Sequence, residues 1–372
     1  MMSANNVLAT VKVQSIPDNS NAISSVENTN MARFDIETKS MEEKSKQAPI
    51  NPELNIDCSR SGFRVLTYNL WCHRVVGGWH SSRRLNTFTS WLLDNSTPFY
   101  DIICLQEVFV CNPLLLLNYG SGQRANLIKT VKSKYPYSYT ADSPWFGVQD
   151  SGCLILSAHK IQPCHQEPFS GCSLSELVTH KGYMCCKITI TNKDLIVINT
   201  HLNAGMQNSA AIRARQFVQI NDHITTCHAG HRVILCGDLN IEYGSKEYND
   251  MLQSLFINRL MDSTPKAGAT YARSIRLDYI LTNQYVSSTG SAVVSADEKN
   301  QNDPKLMVSD HEGLEVTLKF TNTEPPNAQI TIVPRSNKAR ARQIKGLAAF
   351  LATVLSAIIY YYLFQSQLDS HH

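Results

Sequence analysis

From residue 58 to residue 322 the apolar positions of the chain alternate between two rhythms. Short apolar or alternating runs predict strands at Phe63–Leu70, Asp101–Val108, Cys153–Ser157, Tyr183–Thr189, Leu195–Thr200, Val233–Cys236, Leu277–Leu281 and Leu314–Leu318. Between them lie segments with helical spacing. In Arg83–Leu93, Leu85, Phe88, Trp91 and Leu92 share a face. Gln123–Tyr135 reads as a helix stopped by Pro136, and Ser209–Thr225 places Ile212, Phe217, Ile220 and Ile224 on one side. Mixed strands and helices over this length predict a single α/β sandwich domain.

The flanks read differently. Residues 1–57 are rich in Asn, Ser, Glu and Lys and lack the apolar core of a secretion signal, so they predict a disordered arm. Residues 323–345 hold prolines and a basic run and read as a linker. Residues 346–364, GLAAFLATVLSAIIYYYLF, carry no charge. Their length approaches the ~20 residues that span a bilayer. The run is apolar around its whole circumference, carries Tyr360, Tyr361 and Tyr362 near one end, and follows five cations, which favours a transmembrane anchor over a buried core helix. The tail, 365–372, has no Lys or Arg, so the positive-inside rule keeps the domain in the cytosol. The expectation is a tail-anchored protein of the endoplasmic reticulum or another endomembrane. Its linker cations would meet anionic lipid at the bilayer surface.

Charge sharpens this picture. The 372 residues are 43% hydrophobic and 17% charged, which excludes a wholly disordered chain. The formal charge is +3, but Arg335, Lys338, Arg340, Arg342 and Lys345 alone supply five positive charges, leaving the rest at −2. No nucleic-acid partner is expected of so balanced a domain. The 11 cysteines are odd in number and show neither a disulfide framework nor a Cys/His zinc spacing. Cys104 and Cys236 sit in apolar runs, and all read as reduced thiols. The sequence assigns no oligomeric state.

Candidate chemistry collects at strand ends. Polar residues follow or interrupt apolar runs at Tyr68-Asn69-Leu70-Trp71, Leu105-Gln106-Glu107, Asn199-Thr200-His201-Leu202-Asn203, Gly237-Asp238-Leu239-Asn240, Arg276-Leu277-Asp278-Tyr279 and Ser309-Asp310-His311-Glu312. Each alone has an ordinary explanation. Glu107 could be a strand end meeting solvent, Asp238 and Asn240 a turn, His201 a structural histidine, Asp278 an ion-pair member, and Asp310-His311 a cap or loop pair.

Together, in this order, the six resemble the endonuclease/exonuclease/phosphatase superfamily over about Phe63 to Phe320. The resemblance implies a DNase I-like sandwich of two mixed β-sheets flanked by helices, and Mg²⁺-dependent hydrolysis of a phosphate ester. Within that superfamily the chain looks like the neutral sphingomyelinases. It is similar to them in Asn69-Leu70-Trp71, in Arg83-Arg84-Leu85, in Asp150 through Ser157 (DSGCLILS), in His180-Lys181-Gly182-Tyr183 and in Ala211-Ile212-Arg213 with Gln216. It departs from them at Asn203, where a second histidine is expected, and at Glu176, five positions before the lysine, where some eukaryotic members place an aspartate that takes part in a switch.

The roles expected from the resemblance and from side-chain chemistry are these. His311 takes a proton from water, and Asp278 fixes its tautomer. Asp238 orients the water, and Asn240 donates to a phosphate oxygen. His201 donates to developing phosphate charge, and Lys181 adds positive charge at the rim. Glu107, with Asn69 and Asp310 near it, holds Mg²⁺. The substrate would be sphingomyelin or a related choline lysolipid at a bilayer, giving ceramide and phosphocholine from sphingomyelin. The alternatives are a nuclease or deadenylase, a phosphoinositide phosphatase, and a catalytically inert membrane-tethered interaction module.

Overall fold

The computed structural model describes residues 62–73, 80–110, 121–142, 149–176, 179–205, 209–255, 258–297 and 306–326. The N-terminal arm, nearly all of the linker, the apolar run 346–364 and the tail lie outside these residues. Among the described residues no helix is long and apolar enough to cross a membrane.

In chain order the elements are β1 (Phe63–Asn69), α1 (Ser81–Leu93), β2 (Ile102–Gln106), α2 (Ser121–Val131), β3 (Tyr137–Thr140), β4 (Leu154–Ser157), β5 (Ile161–Pro168), β6 (Gly182–Ile190) and β7 (Lys193–His201). There follow α3 (Ala210–Cys227), β8 (Val233–Asp238), α4 (Lys246–Leu255), β9 (Met261–Asp262), β10 (Asp278–Thr282), β11 (Val286–Val294) and β12 (Gly313–Phe320). They form two six-stranded sheets, ordered β11-β12-β1-β2-β4-β3 and β5-β6-β7-β8-β10-β9. Each sheet has one parallel pair at its centre, β1 with β2 and β7 with β8, and antiparallel pairs elsewhere. This is the mixed sandwich that the sequence predicts.

Period-two alternation builds the middle of the sandwich. Val65, Ile102, Cys104, Val197, Ile234, Cys236, Ile280 and Val316 point inward and form the inter-sheet core. The outer faces are covered by helices. Leu85, Phe88, Leu92, Leu127 and Val131 bring α1 and α2 onto the first sheet. Phe217, Ile220, Ile224, Met251 and Leu255 bring α3 and α4 onto the second. The described cysteines are all free thiols, and Cys104 and Cys236 lie in the inter-sheet core.

Local differences have local causes. α2 ends at Val131 rather than Tyr135; a turn follows, with the Tyr135 N–H on the Val131 carbonyl at 2.8 Å. Pro136 disfavours helical backbone in the residue before it, so the last turn loosens early. β3, β5, β11 and α4 are additional to the sequence expectation. β3 and β5 are edge strands, and β5 contains Pro163 and Pro168, which only an edge tolerates. β11 is mostly exposed, so its sequence shows no alternation. In α4, Tyr248, Met251 and Leu255 recur at helical spacing and are the buried face.

The inward row does not remain apolar to its end. Next to the core, Gln106 and Asn199 meet across the sheets and are both fully buried. The Gln106 Nε2 donates to the Asn199 Oδ1 at 2.8 Å and to the Thr67 hydroxyl at 3.0 Å. The Asn199 Nδ2 donates to the carbonyls of Leu105 and Leu154, at 2.9 and 3.2 Å, in the opposite sheet. Buried amides are tolerated only when so bonded. Asn199→Ala is therefore expected to cost about 1–3 kcal/mol for each polar group it strands. Urea denaturation should show a lower midpoint with an unchanged slope.

Candidate active site

One step beyond that amide bridge, the same inward row delivers Asn69 from β1, His201 from β7, Asp238 from β8 and Asp278 from β10. The parallel pairs send the carboxyl ends of β1, β2, β7 and β8 to one edge of the sandwich. β10 and β12 enter from that edge, so Asp278 pairs in register with Asp238, and His311 precedes β12. His201 is likewise in register with Asp238. Gly237 is required beside Asp238, because a Cβ there would lie 1.9 Å from the Thr200 carbonyl oxygen.

The polar contacts form one chain. The His311 Nδ1 lies 2.8 Å from the Asp278 Oδ2, and its Nε2 lies 3.5 Å from the Asp238 Oδ2. The Nδ1 proton thus belongs towards Asp278, which leaves Nε2 facing Asp238. The same Asp238 oxygen accepts from the Asn69 Nδ2 at 2.9 Å and lies 3.5 Å from the His201 Nε2. The Asn69 Nδ2 also donates to the Glu107 Oε1 at 3.0 Å, while its Oδ1 accepts the Trp71 N–H at 3.0 Å. Asn240 donates its backbone N–H to the Asp238 Oδ1 at 2.9 Å and its side-chain amide to the Leu202 carbonyl at 3.1 Å. Asp310 follows Ser309, whose hydroxyl lies 3.4 Å from its Oδ1.

Three residues just beyond strand ends, Trp71, Glu107 and Asn240, have φ of 47°, 59° and 52°. Left-handed backbone is uncommon outside glycine, and such strain gathers at functional sites. Arg84 supports the first of them: its Nη1 donates to the Trp71 carbonyl at 2.7 Å, and its guanidinium lies 3.8 Å from the indole centroid.

Lys181 differs from its expected place at the rim. It is only 6% exposed, and its ammonium donates to the Glu176 Oε1 and the His201 Nε2, both at 3.0 Å, and to the Leu202 carbonyl at 3.1 Å. A buried ammonium needs such a cage, and Glu176 supplies the counter-charge. With Lys181 donating to Nε2, the His201 ring proton belongs on Nδ1, so Nε2 serves as an acceptor.

The field of the site follows from burial and neighbours. Burial pushes the Glu107 carboxyl up to about 7, against the opposing pull of Lys181 and Asn69. Burial works against a charged His311, but the carboxylates of Asp278 and Asp238 outweigh it and raise the imidazole to about 10. His201 lies well below the usual histidine range, first through burial and then through Lys181 and His311. Burial raises Asp278 and Asp310, against the pull of His311. Glu176 lies below the usual carboxylate range, because Lys181 overcomes the cost of burial.

The donor set suits a hard divalent cation. Glu107 is a mostly buried carboxylate whose charge is costly, with the Asn69 amide beside it and Asp310 close enough to raise it further. Oxygen donors of this kind fit Mg²⁺.

Several supporting residues escaped the sequence reading. The Ser309 hydroxyl donates to the Asn69 carbonyl at 2.6 Å and accepts the His311 N–H at 3.1 Å. Thr270 accepts the Leu277 and Asp278 N–H groups at 3.1 and 3.2 Å, and the Tyr271 ring lies 4.9 Å from that of His311. Ser309 borders a recognised motif and could have been marked; Thr270 and Tyr271 carry no local signal. The Arg213 and Gln216 motif now has a physical role. The Gln216 Oε1 accepts the Asn203 N–H at 2.9 Å, and Arg213 donates to the Asn203 carbonyl at 3.1 Å and to both oxygens of Glu247 at 2.7 Å. Asn203 spends its side chain on this loop, accepting from the Ser173 N–H at 2.8 Å and donating to the Ser209 hydroxyl at 3.1 Å.

A mixed sandwich with a carboxylate-histidine centre at one edge defines a class. Residues 66–311 match the model of the Endonuclease/Exonuclease/phosphatase family, and the chain belongs to that family. Among curated relatives it is similar to a phospholipase C of Staphylococcus aureus, at 26% identity over 219 residues, covering 50% of this chain and 66% of that protein. It is also similar to a sphingomyelinase C of Leptospira interrogans, at 26% identity over 226 residues, covering 53% of this chain and 37% of that protein. The chain thus matches just under two thirds of the first relative and a smaller part of the second. In fold it is similar to sphingomyelinase C from Streptomyces griseocarneus, with TM-score 0.55, 20% identity, and coverage of 69% of this chain and 99% of that one. A mutant beta toxin from Staphylococcus aureus with bound magnesium ions gives TM-score 0.56 at 20% identity, over 69% of this chain and 99% of that one.

The buried Lys181–Glu176 pair yields a stability prediction. Lys181→Met leaves a buried carboxylate uncompensated and should destabilise by about 3–5 kcal/mol. Adding Glu176→Gln should restore much of that loss, as a double-mutant cycle of thermal midpoints will show.

Proposed function

We propose that this chain is a Mg²⁺-dependent phosphodiesterase that cleaves sphingomyelin, or a related choline lysolipid, at a membrane surface. The observation that carries the reading is the chain of contacts Asp278–His311–Asp238–Asn69–Glu107. It joins a base and its orienting carboxylate to a carboxylate suited to a cation. The names of the relatives support the choice of lipid, since sphingomyelinase C recurs among them.

In this reading a water lies against His311 Nε2 and Asp238 and attacks phosphorus opposite the leaving oxygen. His311 takes the water proton at Nε2. Asp278 steadies the imidazolium that results, as a buried carboxylate does for a catalytic histidine. Asp238 accepts a hydrogen bond from the water and fixes its line of attack. Asn240 borders the same carboxylate and offers an amide near the phosphate. The Lys181 ammonium, held by Glu176 and the His201 Nε2, offsets part of the negative charge at Glu107. Bound at Glu107, with Asn69 and Asp310 beside it, Mg²⁺ would neutralise charge on the phosphate and the leaving oxygen. The P–O bond to the ceramide oxygen breaks, that oxygen takes a proton from solvent water, and His311 returns its proton to solvent.

The uncharged run 346–364 supports a membrane-bound enzyme whose domain faces the cytosol of an endomembrane, with the basic linker against anionic lipid. Removing residues 346–372 should move the protein from the membrane to the soluble fraction on centrifugation. Recovery of the truncated protein in the membrane pellet would overturn the anchor.

Phosphocholine release from sphingomyelin vesicles tests the activity. It should require Mg²⁺ and fall by about 10²–10⁴-fold in His311→Ala. Cleavage of RNA or of phosphoinositides, with none of any choline lipid, would overturn the substrate assignment. The pH profile tests the base. Protonated His311 cannot accept the water proton, so kcat/KM should rise with pH through the neutral range. Asp278→Asn removes a charge that raises His311, so its ascending limb should lie at lower pH, with a reduced maximum.

A further inference from the structure

A second group of side chains, on the outer face of the second sheet, has the chemistry of metal ligands. Cys185 on β6, His223 on α3 and His228 just past α3 each offer one donor atom, and these atoms lie within 4.8 Å of one another. All three residues are buried. The His228 Nε2 is 3.3 Å from the Cys185 Sγ. Bonds of about 2.3 Å to sulfur and 2.0–2.1 Å to nitrogen set tetrahedral S and N ligands about 3.5 Å apart, close to that spacing.

An independent observation points to a ligand. The His223 Nε2 is buried without a hydrogen-bond partner, which folded proteins seldom leave standing. Cys164 on β5 packs in the same buried cluster but spends its thiol on the Gln162 carbonyl at 3.6 Å. The surroundings are aromatic: His165 stacks on His223 at 4.6 Å, and Tyr183 lies 5.3 Å from it. Sulfur and imidazole donors disfavour Mg²⁺ and suit Zn²⁺.

We propose that Cys185, His223 and His228 bind one Zn²⁺, with the fourth position left to water, at a site separate from the hydrolytic centre. The Cys185 thiol would release its proton to solvent on binding. The ion would tie the end of α3 to β6. The same helix carries Arg213 and Gln216, which hold the loop after His201. Spacing along the chain could not show the site, since 43 residues separate Cys185 from His228.

The test uses the full-length chain, stripped with chelator, shown to be folded by circular dichroism, and reloaded with ZnCl2 or CoCl2 in excess Mg²⁺. We expect one tightly held zinc per chain by elemental analysis, a zinc-dependent rise in Tm, and a thiolate-to-cobalt charge-transfer band in the cobalt form. Cys185→Ser and His223→Gln should lose all three, while His311→Ala retains them. Failure of the folded wild-type chain to take up zinc overturns the proposal, as does a charge-transfer band that persists in Cys185→Ser. Zinc bound without that band would be held elsewhere and overturns it too. Metal content and absorbance do not depend on the hydrolytic reading.

Discussion

Two apolar sheets can pack at almost any offset; a buried amide pair cannot. The bridge from Gln106 to Asn199, extended to the Leu105 and Leu154 carbonyls, makes its hydrogen bonds only when the sheets meet at one registration. Everything at the open edge depends on that registration. Asn69 and Glu107 come from the first sheet, and Asp238, Asp278 and His201 from the second. A slip of one residue would turn either set away from the other.

Given that registration, Asp238 is the junction of the site. Its Oδ2 faces an amide and two imidazoles, and its Oδ1 holds the loop that carries Asn240. The two histidines are driven in opposite directions. His311 lies between two carboxylates and is raised, while His201 lies against Lys181 and is lowered. One site thus holds one strongly basic imidazole and one that stays neutral, an arrangement set by neighbours rather than by residue type.

Much of this was legible in the sequence. The inward-facing strands announced themselves by apolar runs, and the polar residues closing those runs were the site. β5 and β11 were not legible, because an edge strand with prolines and an exposed strand lack the alternation that burial imposes. The place of Lys181 was not legible either. Its neighbours on the chain suggest a rim, and only Glu176, folded back onto it, makes a buried position tolerable. Thr270 and Tyr271 reach the site through a turn whose path no local pattern records. The Glu107–Asn69 contact joins two strands whose pairing had to be known first.

The left-handed backbone at Glu107 and Asn240 sets stability against function in this family member. Each of these residues sits where a glycine would relieve the chain. A glycine there would also remove the carboxylate or the amide that the site displays. Selection for heat resistance alone would press on these two positions and erode the site from its strand ends inward, leaving the sandwich sound and the chemistry lost.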